Sequence, residues 1–151
     1  MTDVMMHFTP ILLPVFVLVG WTLMMLAWMA AVRLPYIASQ VGRSPEWGED
    51  VGQRTADLGA QMPKEIQWKA DNYNHLLEQP TAFYAVAIGS AMIGLGVGLN
   101  LYLAWAYVIL RIIHSLVHAT INRVPLRFGI FLLSTLCLLV MTVNALMQWI
   151  N

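Results

Sequence analysis

Apolar residues occupy three long stretches of the chain that contain no charged side chain. These stretches are residues 4–32, 79–110 and 128–150. An α-helix needs about 20 apolar residues to cross roughly 30 Å of hydrocarbon. Each stretch is therefore long enough to span a membrane, and the polar segments between the stretches are expected to lie at the two membrane surfaces.

The middle stretch is too long for one crossing, because a single helix over it would measure roughly 50 Å at about 1.5 Å per residue. Residues 94–100 include three glycines and end with Asn100, and glycine permits a tight reversal of the chain. The pattern predicts an all-α membrane protein, a four-transmembrane-helix up-down bundle in a single domain over residues 1–151. The predicted spans are about 10–33, 76–98, 101–122 and 128–150, and the predicted long loop is about 35–71.

The composition supports this class. Hydrophobic residues make up 59% of the chain and charged residues 11%, whereas soluble domains have about 25% charged residues. Eight Lys+Arg balance eight Asp+Glu, so the charge gives no support to a nucleic-acid partner or a polybasic membrane anchor. The first stretch is too long for a cleaved signal peptide and no basic residue precedes it, so we expect a retained helix that ends near Arg33 and Pro35.

Basic residues lie on one side of the predicted topology. Loop one and its flanks carry Arg33, Arg43, Arg54, Lys64 and Lys69, and loop three carries Arg123 and Arg127. The termini and the second loop carry no Lys or Arg. Because cytoplasmic loops are enriched in these residues, we predict that loops one and three are cytoplasmic and that both termini lie outside.

The third span carries a stripe of polar side chains. Its members are Tyr107, Arg111, His114, His118 and Asn122, and they recur at spacings of three or four residues, which places them on one face of a helix. Ionisable groups inside a membrane are costly and face the protein interior or a watered cavity. We expect this face to point away from lipid.

The second span contributes His75 and Glu78 at its cytoplasmic end. An antiparallel third span brings His118 to the same end, and Arg127 at the start of the fourth span lies in the same layer. Glu78 and Arg111 are each costly alone in hydrocarbon, so we predict a structural ion pair between them, within one subunit or between subunits. The histidines and Glu78 also suggest a metal or haem site. Carboxylates are too few for that hypothesis, and the sequence favours hydrogen bonds between helices and no metal.

The segment from Arg111 to Arg127 reads RIIHSLVHATINRVPLR. It resembles the third-helix motif of the MAPEG family, the membrane-associated proteins in eicosanoid and glutathione metabolism, which include the microsomal prostaglandin E synthases and microsomal glutathione transferases. The segment 71–80, DNYNHLLEQP, is similar to the family's second-helix segment, with Glu78 in register. The resemblance implies a homotrimer in which glutathione binds between subunits, at a site that opens to the cytoplasm.

The resemblance also implies roles for individual residues. Arg127 is expected to be the catalytic cation beside the glutathione thiolate. The expected cofactor-binding residues are Arg33, His75, Glu78, Tyr107, Arg111, His114, His118, Asn122 and Arg123. Asp71 and Asn74 stand where family enzymes have Arg, His75 stands where they have Asn, and His118 stands where many have Tyr.

These departures leave fewer cations for the two carboxylates of glutathione. They also resemble a bacterial branch of the family, and this resemblance implies an inner-membrane protein with periplasmic termini. Three functions follow from the sequence. The first is a glutathione-dependent transferase or peroxidase that acts on lipophilic electrophiles. The second is a trimer that binds a lipid or small anion without glutathione chemistry, and the third is a structural or interaction protein of the membrane.

Overall fold

The computed structural model describes residues 9–40, 62–148 and 150. Two basic residues that contribute to the orientation argument, Arg43 and Arg54, lie outside this described part. The described residues form helices: α1 (Leu12–Gln40), α2 (Lys64–Glu78), α3 (Pro80–Met92), α4 (Leu99–Thr120) and α5 (Val124–Met147). Three of them, α1, α4 and α5, are long and apolar enough to cross a membrane.

The first helix continues further than its sequence predicts. Pro35 lies inside α1, which reaches Gln40, so the predicted helix end near Arg33 and Pro35 is wrong. An internal proline removes one backbone hydrogen bond, but neighbouring turns keep the helix formed. The last turns of α1 thereby extend the helix beyond the charge-free stretch.

The second and third helices follow each other directly, with one residue between them. Gln79 lies between them with helical backbone angles, φ −62° and ψ −36°, and Pro80 interrupts the hydrogen-bond ladder because it has no N–H. Helix α2 begins at Lys64, within the predicted long loop 35–71, and the membrane boundary of that loop stays a prediction. The segment that forms α2 is amphipathic. Its first turns are too polar to be identified as a membrane span from the sequence.

The glycine-rich segment forms the predicted turn. Helix α3 ends at Met92, and Gly94 and Gly98 in the following turn have φ values of +80° and +61°. Residues with side chains adopt such angles only at a cost, whereas glycine does so freely. Helix α4 then begins at Leu99 and returns toward the end of the bundle where α3 began.

Helices α4 and α5 form the most extensively packed pair. Only residues 121–123 connect them, and Asn122 occupies the left-handed region there with φ 50°, a conformation that asparagine tolerates better than most residues. Pro125 lies in the first turn of α5, where its missing N–H costs nothing. The result is a tight helical hairpin.

The protein core forms where α4 meets α1, α3 and α5. Its central side chains include Ile11, Leu18, Phe83, Tyr107 and Met141, all of which are fully buried. In the most apolar 18-residue window of each candidate span, 39% of α4 residues are buried, against 22% in α1 and 17% in α5. Helix α4 is therefore the central helix, and α1 and α5 present broad apolar surfaces outward.

Candidate functional site

Three histidines meet where α2 packs beside α4. His75 of α2 lies with its ring centroid 5.0 Å from that of His114 and 6.0 Å from that of His118, and the two α4 rings are 5.9 Å apart. His114 and His118 are only 2% and 4% exposed, whereas the His75 side chain is 23% exposed. These three residues form the histidine cluster.

Helix α5 supplies the aromatic wall of the cluster. The Phe131 ring stacks on His75 at a centroid distance of 5.5 Å and lies 6.2 Å from His114. A cavity of about 180 Å³ opens beside these rings. It is lined by His75, His114, Val124, Arg127, Phe128 and Phe131. Val124 and Phe128 are 65% and 64% exposed, so one wall of the cavity is apolar and faces outward.

Arg111 lies buried next to this cavity. Its side chain is 0% exposed, Nη2 donates to the His75 backbone carbonyl at 3.1 Å, and the guanidinium carbon is 5.7 Å from the Phe131 ring centroid. Nε and Nη1 of Arg111 have no hydrogen-bond partner among the described residues. A buried cation with unpaired donors is costly, and the described residues leave these two donors unsatisfied.

Glu78 does not neutralise Arg111 within the chain. Its carboxylate is 71% exposed and pairs instead with His75, with 3.1 Å between Nδ1 and Oε2. The His75–Glu78 contact is the one pairing of a basic side chain with a carboxylate among the described residues, and it is an ion pair only when His75 is protonated. The predicted Glu78–Arg111 pair within a subunit is therefore wrong, because the Glu78 side chain is exposed on α2 whereas Arg111 extends from α4 to the α2 backbone. A pair between subunits stays a prediction.

Arg127 lines the cavity from the first turn of α5. Its Nη1 donates to Oδ1 of Asn122 in the α4–α5 turn, and its Nε has no partner in the described part of the chain. Asn122 thus lies in the turn after α4 has ended, so the predicted polar stripe of the third span stops at His118. Asn122 instead positions the guanidinium of Arg127 at the cavity.

Tyr107 lies in a layer away from the cavity lining. Its ring stacks on Phe83 at 4.3 Å, and its hydroxyl donates to Gln79 Oε1 at 3.4 Å. Gln79 Nε2 donates in turn to Thr135 Oγ1 at 2.7 Å. The structure thus brings Tyr107 to the α2–α3 junction and not to the histidine cluster.

The two remaining predicted site residues lie at the periphery. Arg33 is half-buried on α1, and Arg123 is exposed immediately before α5. Neither lines the cavity beside the histidine cluster. The structure therefore brings together His75, Glu78, Arg111, His114, His118 and Arg127, with Asn122 behind Arg127.

Sequence reasoning missed the aromatic and polar supports of this site. Val124, Arg127, Phe128 and Phe131 recur at spacings of three, one and three residues, a helical-face pattern that could have identified the α5 wall. On α4, Ser115 Oγ accepts hydrogen bonds from Trp21 Nε1 at 3.0 Å and from Asn72 Nδ2 at 2.9 Å. This contact joins α1, α2 and α4 next to the cluster.

The cluster lacks the geometry of a metal centre. Among the described residues, no group of three or more His, Cys, Asp or Glu side chains could hold a metal ion. The three rings meet edge to face or at steep angles, between 66° and 80°, which is typical of packed aromatic contacts. The arrangement offers two guanidinium groups, an imidazole with a carboxylate partner and an apolar wall.

Comparison with known proteins agrees with the sequence motif. The MAPEG family profile matches residues 11–147, which is nearly the whole chain. Neither curated protein sequences nor solved structures gave a match. The match covers all five helices and the cavity, and it confirms the resemblance noted in the α4 segment. The chain therefore belongs to the MAPEG family and is an integral membrane protein.

Proposed function

We propose that this protein is a glutathione-dependent transferase or peroxidase for lipophilic electrophiles, and that the cavity beside the histidine cluster is its active site. The observation that carries the proposal is the pairing of a cation with an outward-facing apolar wall. Arg127 lines the cavity together with Phe128 and Val124, which are largely exposed. The cation would stabilise a thiolate, and the apolar wall would bind a lipophilic electrophile.

The donor set suits an anionic thiol compound. Among the described residues, nothing accepts from Nε of Arg127 or from Nε and Nη1 of Arg111, all of which are buried, so both guanidinium groups retain unsatisfied donors. Charge-assisted bonds from arginine are stronger than neutral hydrogen bonds, and they gain strength where water is excluded. Arg127 and Arg111 are the residues that we expect to hold glutathione, with His75 and His114 lining its position.

The size of the cavity favours an oligomeric site. Its volume of about 180 Å³ is smaller than the roughly 300–1,000 Å³ of typical small-molecule sites, and one wall is open. A second protomer packed on α5 would close that wall, so we infer a homotrimer with its sites between subunits. We also infer four membrane crossings, with α3 and the end of α2 as the second, and an orientation with the cavity toward the cytoplasm of a bacterial inner membrane.

The chain's own residues provide the groups that the reaction requires. Bound glutathione supplies a thiol as the nucleophile. Arg127 stabilises the negative charge on sulfur, since a cation beside a thiol favours its ionised form. The apolar wall of Val124 and Phe128 receives the electrophile from the lipid side. In conjugation a carbon–sulfur bond forms as the leaving group departs, and in hydroperoxide reduction two thiols are oxidised to a disulfide while alcohol and water form.

The test compares two variants that each remove one positive charge. Arg127→Gln changes the cavity, and Lys64→Gln changes the exposed start of α2, about 16 Å along the helix from His75. For protein purified in detergent, we expect calorimetric glutathione binding and conjugation of an aryl halide. Arg127→Gln should reduce kcat/KM by about 10²–10³-fold, the loss typical of removing one group that stabilises developing charge. Lys64→Gln should match the wild type.

A second candidate function rests on Arg111. Its buried, unpaired donors also suit a lipid headgroup or a small carboxylate that undergoes no thiol chemistry. If the wild type binds no glutathione at millimolar concentration but co-purifies with an anionic lipid that Arg111→Met loses, this second function replaces the first. Absence of both ligands would favour a structural or interaction role.

A further inference from the structure

We propose that His75, oriented by Glu78, is the proton acceptor for the thiol at the cavity, and that Glu78 is its positioning residue. This inference rests on the function proposed above and adds a general base to it. His75 is the one member of the histidine cluster that both lines the cavity and has a carboxylate partner. In the described part of the chain, His114 lines the cavity without such a partner, and His118 does not line it.

The contact with Glu78 determines which imidazole nitrogen carries the proton. An ionised carboxylate can only accept hydrogen bonds, so the 3.1 Å contact between Nδ1 of His75 and Oε2 of Glu78 requires a proton on Nδ1. Nε2 then keeps its lone pair and is free to accept a proton. A carboxylate that holds a histidine in one tautomer also stabilises the imidazolium that forms.

The packing around His75 fixes the plane of its ring. Phe131 stacks on one face with an angle of 26° between the rings, and His114 and His118 meet it at 66° and 72°. The His75 backbone carbonyl is also held by Arg111. A general base must keep a defined geometry toward the proton that it takes, and these contacts provide it.

Charged groups of both signs surround His75. Glu78 on the same helix favours the imidazolium, whereas Arg111 of α4 and Arg127 of α5 oppose it. His114 and His118 complete the titratable groups that face the ring. One carboxylate therefore favours protonation of His75, and two guanidinium groups oppose it.

The proposed step conserves atoms and charge. The thiol proton moves to Nε2 of His75, and the sulfur electron pair forms a bond to the electrophilic carbon. In an aryl halide the halide leaves with its bonding electrons. The imidazolium then releases its proton to water, and His75 returns to the Nδ1–H form beside Glu78. Arg127 stabilises the sulfur charge while the proton is on His75.

The first test needs no turnover. The chain contains four histidines, so selective ¹⁵N-histidine labelling gives a simple spectrum, and His75→Gln identifies the His75 signals. We expect His75 to be in the Nδ1–H tautomer, and Glu78→Gln to abolish this preference. A wild-type His75 found as the Nε2–H tautomer would overturn the proposal, whatever ligand the protein binds.

The second test measures the pH dependence of conjugation. At saturating glutathione we expect His75→Gln to lower kcat by about 10²–10⁴-fold, the usual contribution of a general base. The deficit should shrink as pH rises toward the thiol's own ionisation near about 8.5, because the thiol then needs no base. Glu78→Gln should give a smaller loss with the same pH trend, and Asn74→Gln, an exposed neighbour on α2, should match the wild type.

The outcomes separate this proposal from the proposed function. If the wild type binds and conjugates glutathione but His75→Gln lowers the rate equally at every pH, or not at all, the proton-acceptor role is wrong and the transferase function stands. If the wild type neither binds nor conjugates glutathione, the transferase function is wrong and the role of His75 falls with it.

Discussion

The hairpin of α4 and α5 buries polar side chains toward both of its ends, and the two ends differ in how those side chains are satisfied. Near the glycine turn, Asn144 Nδ2 donates to Asn100 Oδ1 at 2.9 Å, and Asn100 is 4% exposed. Toward the other end, Arg111 is fully buried, yet nothing in the described part of the chain accepts from its Nε and Nη1.

This difference separates polar residues that hold helices together from polar residues that serve a site. The hydrogen bond between Asn144 and Asn100 forms within one chain and joins two helices. A buried guanidinium with free donors gains its full stabilisation only when an anion arrives. Substitutions of the two kinds of residue should therefore differ in whether they change ligand affinity or stability.

Replacing Arg111 by methionine should separate ligand binding from stability. We expect the Kd for glutathione to rise by about 10–100-fold, because a hydrogen bond to a charged group contributes about 1.5–3 kcal/mol. The melting temperature in detergent should not fall, since methionine fills a similar volume and removes unpaired donors. Arg111→Lys keeps the charge and should bind with intermediate affinity. A large drop in melting temperature with unchanged Kd would instead make Arg111 a packing residue.

Replacing Asn100 by alanine should have the opposite profile. We expect the free energy of unfolding to fall by about 0.6–1 kcal/mol, the size of hydrogen bonds between membrane helices, with glutathione affinity unchanged. Denaturation in detergent of Asn100→Ala, Asn144→Ala and the double variant measures the coupling between the two side chains. Fully additive losses would show that the 2.9 Å contact stabilises nothing.

Replacing Tyr107 by phenylalanine should have the smallest effect. The ring can keep its stack on Phe83, and only the long 3.4 Å hydrogen bond to Gln79 is lost. We expect a loss below about 0.5 kcal/mol, at the lower limit for a hydrogen bond, in the same unfolding assay. A loss of several times that size would mean that the Gln79 contact, and not the ring stack, holds the α2–α3 junction.

The sequence predicted the parts of this molecule that depend on local patterns. Charge-free stretches identify α1, α4 and α5, and the glycines at 94–98 identify the turn, because each follows from composition within a short window. The spacing of Arg111, His114 and His118 correctly placed three buried side chains on one face of α4. The family motif lies in the same segment.

The sequence could not predict contacts that depend on how two helices are rotated and shifted against each other. Whether Arg111 meets the Glu78 carboxylate or the His75 carbonyl depends on such a shift between α2 and α4. The same holds for Tyr107, whose hydroxyl reaches Gln79 and not the histidines. The α5 wall was predictable from its spacing, but apolar residues at that spacing are equally typical of lipid contact.

The short connection between α4 and α5 has a consequence for biogenesis. Only residues 121–123 join two helices that pack along their length, so closing this hairpin costs little chain entropy. We expect it to form early during membrane insertion, carrying Arg111, His114, His118 and Arg127 into place. The cavity is then completed when α2 docks and brings His75. A helix that is translated before the hairpin would thus complete a site whose other walls are translated after it.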